Sequence, residues 1–395
     1  AAGARYEPDP RGCRAAREVV AGYYTARGLV VDPERVVLTA STSESYTHLF
    51  RLLADPGGTF LVPAPSYPLF EPLAQLEGVT LRPYRLAWDG AWHLDTDSLE
   101  RACGDDVRGV IVVQPNHPTG SCLDGAEREL LAALCRRHGA AIVADEVFGD
   151  FTRGAEPLAS FVGEARVPTF VLSGLSKVCG MPQMKLGWIV VDGPPAERAT
   201  ALRGLEWIAD LFLSVSTPVQ VALPRLLAAR GPFQARVRER LARNLAALGR
   251  LVAARPELEV MAAQGGWAAV LRVPRLRSDE DWALALLERD VVVHPGHFYD
   301  FTDEGHLVLS LIPEPDVFHI ALQRLRLRKG RQPQRHLGTP AHLAANLEAP
   351  AHQLGDLVDD AHAQARARDA ARLVGAVEAL ADVRQLLGRH TDPLV

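Results

Sequence analysis

The chain has 395 residues, of which 48% are hydrophobic and 23% charged, with a net charge of −5. This is the make-up of a soluble globular protein with a large core, and the length suits one large α/β unit plus a smaller one. The slightly acidic balance argues against a nucleic-acid or anionic-membrane partner, and no apolar run reaches the ~18 residues of a membrane span. Five cysteines, at 13, 103, 122, 135 and 179, form no CxxC pair and no Cys/His cluster. A disulfide framework and a metal site are therefore not expected, and a reducing cytoplasm suits the chain best. The opening AAGARYEPDP is no signal peptide. It lacks an initiator methionine and enters structured sequence almost at once, which suggests a missing natural start.

In chain order, residues 14–24 read as a helix with a small apolar face of Ala15, Val19, Ala21, Gly22 and Tyr23, ended by Gly28. VVLTA (36–40) reads as a buried strand and STSESYTHLFRLLA (41–54) as a helix with a hydroxyl-rich start. DPGG (55–58) is a turn. TFLVP (59–63), VTLRPY (79–84) and GVIVV (109–113) are strands, with a helix around 69–76. LDGAERELLAALCRRHG (123–139) is a well-marked helix: Asp124 can cap it, Glu127 sits three residues on, and basic residues precede Gly139. AIVAD (141–145), TFVLS (169–173) and GWIVV (187–191) bring the strands to seven. Continuous apolar strands with crossover helices predict an α/β fold, a mostly parallel seven-stranded sheet sandwiched by helices.

Residues 196–230 read as helix with a break at SVSTP (214–218), and 231–254 as a long amphipathic helix. WAAVLRV, DVVVHPG and HLVLSLI are strands of a smaller α+β domain. The expected division is 1–228 for the large domain, 229–328 for the small one, and 329–355 for a linker. A last amphipathic helix is expected over 356–390, where Leu373, Val377, Leu380 and Leu387 share a face.

Ligands of such sheets bind beyond the carboxyl ends of the strands, and the loops there are polar. Ser41, Thr42 and Ser43 follow VVLTA and open a helix, so free N–H groups and hydroxyls could seat a phosphate, although plain N-capping is commoner. Tyr67, in PSYP after TFLVP, could stack on a flat ring or simply join the core. The rigid string QPNHPTG (114–120) presents Asn116 or His117. Asp145, ending a buried strand, needs a cation or a strong donor; an ion pair or a helix cap would also serve. Lys177 follows TFVLS. A lysine just past a buried strand must reach solvent, meet a carboxylate or lose its charge, and the uncharged amine can form a Schiff base with an aldehyde. Alone it reads as an ordinary loop lysine. Lys185, eight residues on, could neutralise a phosphate held at Ser41–Ser43, beside Ser173.

TASTSE, PAPSYP, PNHPTG, ADEVF, LSK with a basic residue eight on, STPVQVAL, GGWAAVL and the PG at 295–296 occur in an order that resembles the class I/II aminotransferases, fold type I enzymes that use pyridoxal 5'-phosphate. The resemblance covers residues 5–327. It implies that Lys177 carries the cofactor as a Schiff base and later shuttles the proton of the substrate α-carbon. Asp145 would keep the pyridine nitrogen protonated and Tyr67 would stack on the ring. Ser41, Thr42, Ser43, Ser173 and Lys185 would hold the phosphate, and His117 would face the ring's phenolic oxygen. Tyr6 would reach the phosphate of a neighbouring subunit, which implies a homodimer with shared active sites. The implied function is a cytoplasmic aminotransferase moving an amino group from an amino acid or related amine to a keto acid. The alternatives are a pyridoxal-phosphate decarboxylase, β-eliminating lyase or cyclising enzyme, and an inactive fragment or cofactor-binding non-enzyme.

The chain departs from the family pattern at several points. His117 stands for the asparagine of NPTG and Phe148 for the tyrosine that shares its oxygen. Losing hydrogen bonds there should raise the pKa of the Schiff base. Lys185 replaces an arginine, and Gly174 a serine for which Ser173 could compensate. The arginine of the carboxylate-binding R-[LI]-S string is Val308, so either another residue binds the substrate carboxylate or the substrate has none there. His294, His297 and Arg272 are the candidate substitutes.

Overall fold

A computed structural model describes residues 7–154 and 159–325. The expected Tyr6 contact, the linker and the helix at 356–390 lie outside the described residues. The elements run α1 (Arg14–Thr25), β1 (Val36–Thr39), α2 (Thr42–Leu53), β2 (Thr59–Ala64), α3 (Phe70–Glu77), β3 (Thr80–Trp88), β4 (Trp92–Leu94), α4 (Thr96–Ala102), β5 (Val107–Val113), α5 (Gly125–His138), β6 (Ala141–Asp145), β7 (Thr169–Gly174), α6 (Leu175–Val178) and β8 (Gly187–Asp192). They continue with α7 (Pro195–Asp210), α8 (Thr217–Ala228), α9 (Arg230–Ala253), β9 (Glu259–Val260), β10 (Ala268–Arg272), α10 (Asp279–Leu287), β11 (His294–Pro295), β12 (His306–Ser310) and α11 (Pro315–Arg324).

All seven predicted strands join one sheet, in the order β1-β8-β7-β6-β5-β2-β3-β4. Its centre is parallel, through the pairs β6–β7, β5–β6, β2–β5 and β2–β3. The sequence alternation then sorts the core. Val171, Trp188 and Val190 point to the layer of α1, α5 and α8, where Trp188 Nε1 donates to Tyr24 Oη at 3.0 Å. Phe170, Leu172, Ile189 and Val191 point to the other layer, against Tyr46, Leu49 and Phe50 of α2. Burying both faces is what keeps these strands apolar throughout. Helix α5 starts on the expected capping box: Glu127 N–H donates to Asp124 Oδ1, and Asp124 N–H to Glu127 Oε2, both at 2.8 Å.

Several short elements were not foreseen. The short strand β4 folds back on β3 around Asp89-Gly90, with Gly90 at φ +109°, and α4 follows, capped by Asp95. In the second, antiparallel sheet, of order β11-β12-β10-β9, the string DVVVHPG contributes only His294 and Pro295. Val292 lies in solvent instead. One face of this sheet, with Ala269, Leu271, Leu307 and Leu309, packs against Leu241, Leu248, Trp282 and Phe318. The opposite face, with Ala268, Val270 and Val308, is covered by Tyr299, Phe301, Met261 and Trp92, so the β3–β4 hairpin reaches across to it.

Candidate active site

The parallel strands deliver their carboxyl ends to one edge. Thr39, Ala64, Val113, Asp145 and Gly174 close their strands there, each followed by one of the polar loops. Strand β8 enters from the same edge in the opposite direction, placing Gly187 beside both Thr39 and Gly174. A Cβ on Gly174 would lie 2.9 Å from Gly187 Cα, and one on Gly187 would lie 3.2 Å from the Ser41 carbonyl carbon. The serine expected at Gly174 from the family pattern has no room here.

Helix α2 begins at this junction. Ser41 accepts the Glu44 N–H at 3.2 Å and Glu44 Oε2 accepts the Ala40 N–H at 2.5 Å. Thr39 Oγ1 and Ser45 Oγ are 2.8 Å apart, locking the strand end to the helix. Ser41, Thr42 and Ser43 are half-buried around the helix N-terminus, whose backbone donors and dipole suit an anion. Lys185, exposed and left-handed at φ +49°, precedes Leu186-Gly187. Ser173 is not part of this cluster. It pairs with Trp188 and shares its face, opposite to α2, where its buried Oγ has no partner. Strand alternation thus separates it from Ser41–Ser43.

Asp145 is buried on the α2 side. Tyr46 Oη donates to its Oδ2 at 3.0 Å and Val147 N–H to its Oδ1 at 3.1 Å. Burial pushes its pKa up to about 6 despite these bonds and the charge of Lys177. A carboxylate so placed has lone pairs left for a further donor. Tyr46, on a helix face that reads as ordinary core, was missed by sequence reasoning because its contact spans 99 positions.

Lys177 sits in the one-turn α6, with Nζ 5.7 Å from the Trp267 ring centre and 6.0 Å from that of Phe148. His117 lies against Phe148 (5.9 Å), Tyr299 (5.3 Å) and Tyr67 (6.4 Å). Burial, with Lys177 and His294 nearby, lowers the His117 pKa to about 4, so the imidazole is neutral at pH 7. Tyr67 meets Phe70 edge-on at 5.8 Å. Asn116 faces away: its Nδ2 donates to the Pro65 carbonyl and to Thr119 Oγ1, and it holds the loop together.

On the wall that carries Val308, the side chains are apolar or neutral. Val308 packs with Ala268 and Tyr299. Its cross-strand neighbour His294 shares a 2.7 Å hydrogen bond with Tyr299 Oη, and burial lowers its pKa. Arg272 is held by Glu259 at 2.9 Å and His297 is exposed. Arg153 donates to the carbonyls of Gly266 and Ala268 and caps that edge of β10.

Among the described residues no cluster of His, Cys, Asp and Glu is arranged to hold a metal ion. A ring with a basic nitrogen and a phosphate fits what is present: a desolvated carboxylate with acceptor capacity to spare, an open helix N-terminus, and a lysine between aromatic faces.

The chain is similar to known proteins. S-alkyl-thiohydroximate lyase SUR1 of Arabidopsis thaliana is 29% identical over 217 residues, covering 54% of this chain and 47% of its own. Tyrosine aminotransferase of Bos taurus is 30% identical over 220 residues, covering 55% and 49%. The matched stretch thus spans about half the length of these relatives. Among solved structures, an alanine aminotransferase from Pyrococcus furiosus shares the fold with a TM-score of 0.76 at 23% identity, over 82% of this chain and 83% of its own. The family model described as aminotransferase class I and II matches residues 4–324, and on that match the chain belongs to this family.

Proposed function

We propose that the chain is a pyridoxal-phosphate-dependent aminotransferase that moves an amino group from an amino acid or related amine to a keto acid. The observation that carries this reading is the convergence of Lys177, the buried Asp145 and the α2 N-terminus on one sheet edge. Class I and II aminotransferases depend on pyridoxal phosphate. When bound, the cofactor supplies an aldehyde for amines and a ring that withdraws electrons from the substrate α-carbon.

The protein's part is positional and acid–base. The N–H groups and hydroxyls of Ser41, Thr42 and Ser43 bind the phosphate, helped by the charge of Lys185. Asp145, oriented by Tyr46, holds a proton at the pyridine nitrogen. Tyr67 and the neutral His117 would offer aromatic contact to the ring. Lys177 would be the residue that holds the cofactor through its aldehyde, and its amine, once free, would move the proton of the substrate α-carbon. Trp267 and Phe148 keep water from that amine. Amino transfer is preferred to decarboxylation or elimination because the matched relatives include tyrosine, nicotianamine and glutamate-pyruvate aminotransferases.

A homodimer is part of the proposal, supported by the exposed run of Trp207, Leu211, Phe212 and Leu213. A cytoplasmic setting and the domain division at 228/229, just ahead of α9, belong to it as well. Among the described residues no helix is long and apolar enough to cross a membrane.

The test is reconstitution with pyridoxal phosphate. The wild type should show a visible absorbance band and convert amino donors in the presence of a keto acid. Lys177→Ala should lose the band and at least about 10³-fold in turnover. A variant that kept both would end the proposal.

A further inference from the structure

The turn that carries Lys177 is short and is held from outside. Helix α6 has four residues, too few to hold its own shape. Its last carbonyl, that of Val178, accepts a hydrogen bond from Gln234 Nε2 at 2.9 Å. Gln234 lies in the second turn of α9 and is buried at 6% exposure. The same nitrogen donates to Asp150 Oδ2 at 2.8 Å, while Gln234 Oε1 accepts from Arg238 at 3.2 Å. Both ends of the amide are therefore occupied, and turning it over would set its oxygen against a carboxylate and a carbonyl.

Asp150 is itself anchored. Tyr23 Oη of α1 donates to it at 3.1 Å and Arg27 Nε lies 3.7 Å away. Phe233, one residue before Gln234, presses on Gly180, which adopts φ +65°. A Cβ there would lie 2.4 Å from the ring. The segment directly after Lys177 is thus gripped at two points by the start of one long helix.

We infer that Gln234 is a positioning residue for Lys177: through the Val178 carbonyl it fixes the turn that aims the amine, and it does so from α9, the helix that opens the second part of the chain. This rests on the reading of Lys177 as the cofactor lysine. Movement of α9 then changes the aim of Nζ without touching the cofactor or the substrate.

Two variants test it. Gln234→Leu removes both donors at similar volume, and Gln234→Glu keeps the shape but turns an acceptor toward Asp150 and Val178. In the holoenzyme, each should shift the pH midpoint of the Lys177-dependent visible band by about half a unit or more. Each should lower kcat by about 10-fold while KM changes less than about 2-fold. In the cofactor-free protein, the Cys179 amide, which closes α6 on the Leu175 carbonyl, should exchange with deuterium about 10-fold faster. Variants that lose thermal stability but keep the band midpoint and the kcat of the wild type would overturn the inference. A wild type with no Lys177-dependent band would instead remove the function on which it rests.

Discussion

Asp145, the carboxylate proposed to meet the cofactor, is held at a cost to stability. Its pKa rises from the ordinary 3.8 to about 6, with burial as the main cause. The unfolded chain gives up this proton near the ordinary value, whereas the folded cofactor-free protein keeps it about two units longer. Stability is therefore fully present at low pH and is lost as pH rises through about 6. Asp145→Asn removes that penalty. Without cofactor, the variant should be more stable than the wild type at pH 7 by roughly 2–3 kcal/mol, and the gap should close near pH 4. Urea titrations at the two pH values measure it. The same variant should bind pyridoxal phosphate more weakly, because a neutral amide cannot hold a charged ring nitrogen. A variant less stable than the wild type at pH 7 would mean that Asp145 is not desolvated as described.

At the scale of elements, the α2 N-terminus serves two demands. Glu44 completes the cap through the Ala40 N–H, yet it also places a negative charge where the proposed phosphate would bind. Glu44→Gln keeps the hydrogen bond and removes the charge. Its affinity for inorganic phosphate, measured by calorimetry on the cofactor-free protein, should rise about 3- to 10-fold at low salt, with less gain as salt screens the site. An unchanged affinity would place the anion elsewhere.

The same element shows what could be read in advance. Strand, hydroxyl run and helix are adjacent in sequence, so the opening of α2, the capping box of α5 and the seven strands were legible from local pattern. Asp145 and Lys177 could be singled out as candidates because one ends a buried strand and the other lies in the turn after one. Features set by pairing between distant segments were not legible. Ser173 lies one residue before Gly174, and which of the two faces α2 depends on the register of β7 with β8. The bond from Tyr46 to Asp145 and the grip of Gln234 on Val178 cross long sequence separations. The strand β4 has three residues, too few for an alternation to be visible, although Asp89-Gly90 marks its turn.

At the scale of the molecule, Trp207 and Leu211 are 77% and 79% exposed at the end of α7, and Phe212 is 47% exposed. Apolar side chains grouped this way are usually covered by another protein surface, and the proposed homodimer supplies one. A Trp207→Asp, Leu211→Asp double variant should sediment as a monomer at micromolar concentration, while circular dichroism stays like that of the wild type. A variant that remains dimeric would take this patch out of the interface.

The β3–β4 hairpin also bears on how the molecule can move. Trp92 is 9% exposed, wedged against Val270 of the second sheet and against Met261 and Phe301 beside it. Swinging that sheet away as a rigid block would wet this indole, at roughly 4–6 kcal/mol for a full tryptophan surface. That is a population of about one molecule in a thousand or fewer. The hairpin is in effect a strut. Under the proposed function, motion that admits substrate would leave this contact closed and bend the chain elsewhere, and the indole emission of Trp92, isolated as the difference from a Trp92→Phe variant, should stay blue-shifted when substrate is added.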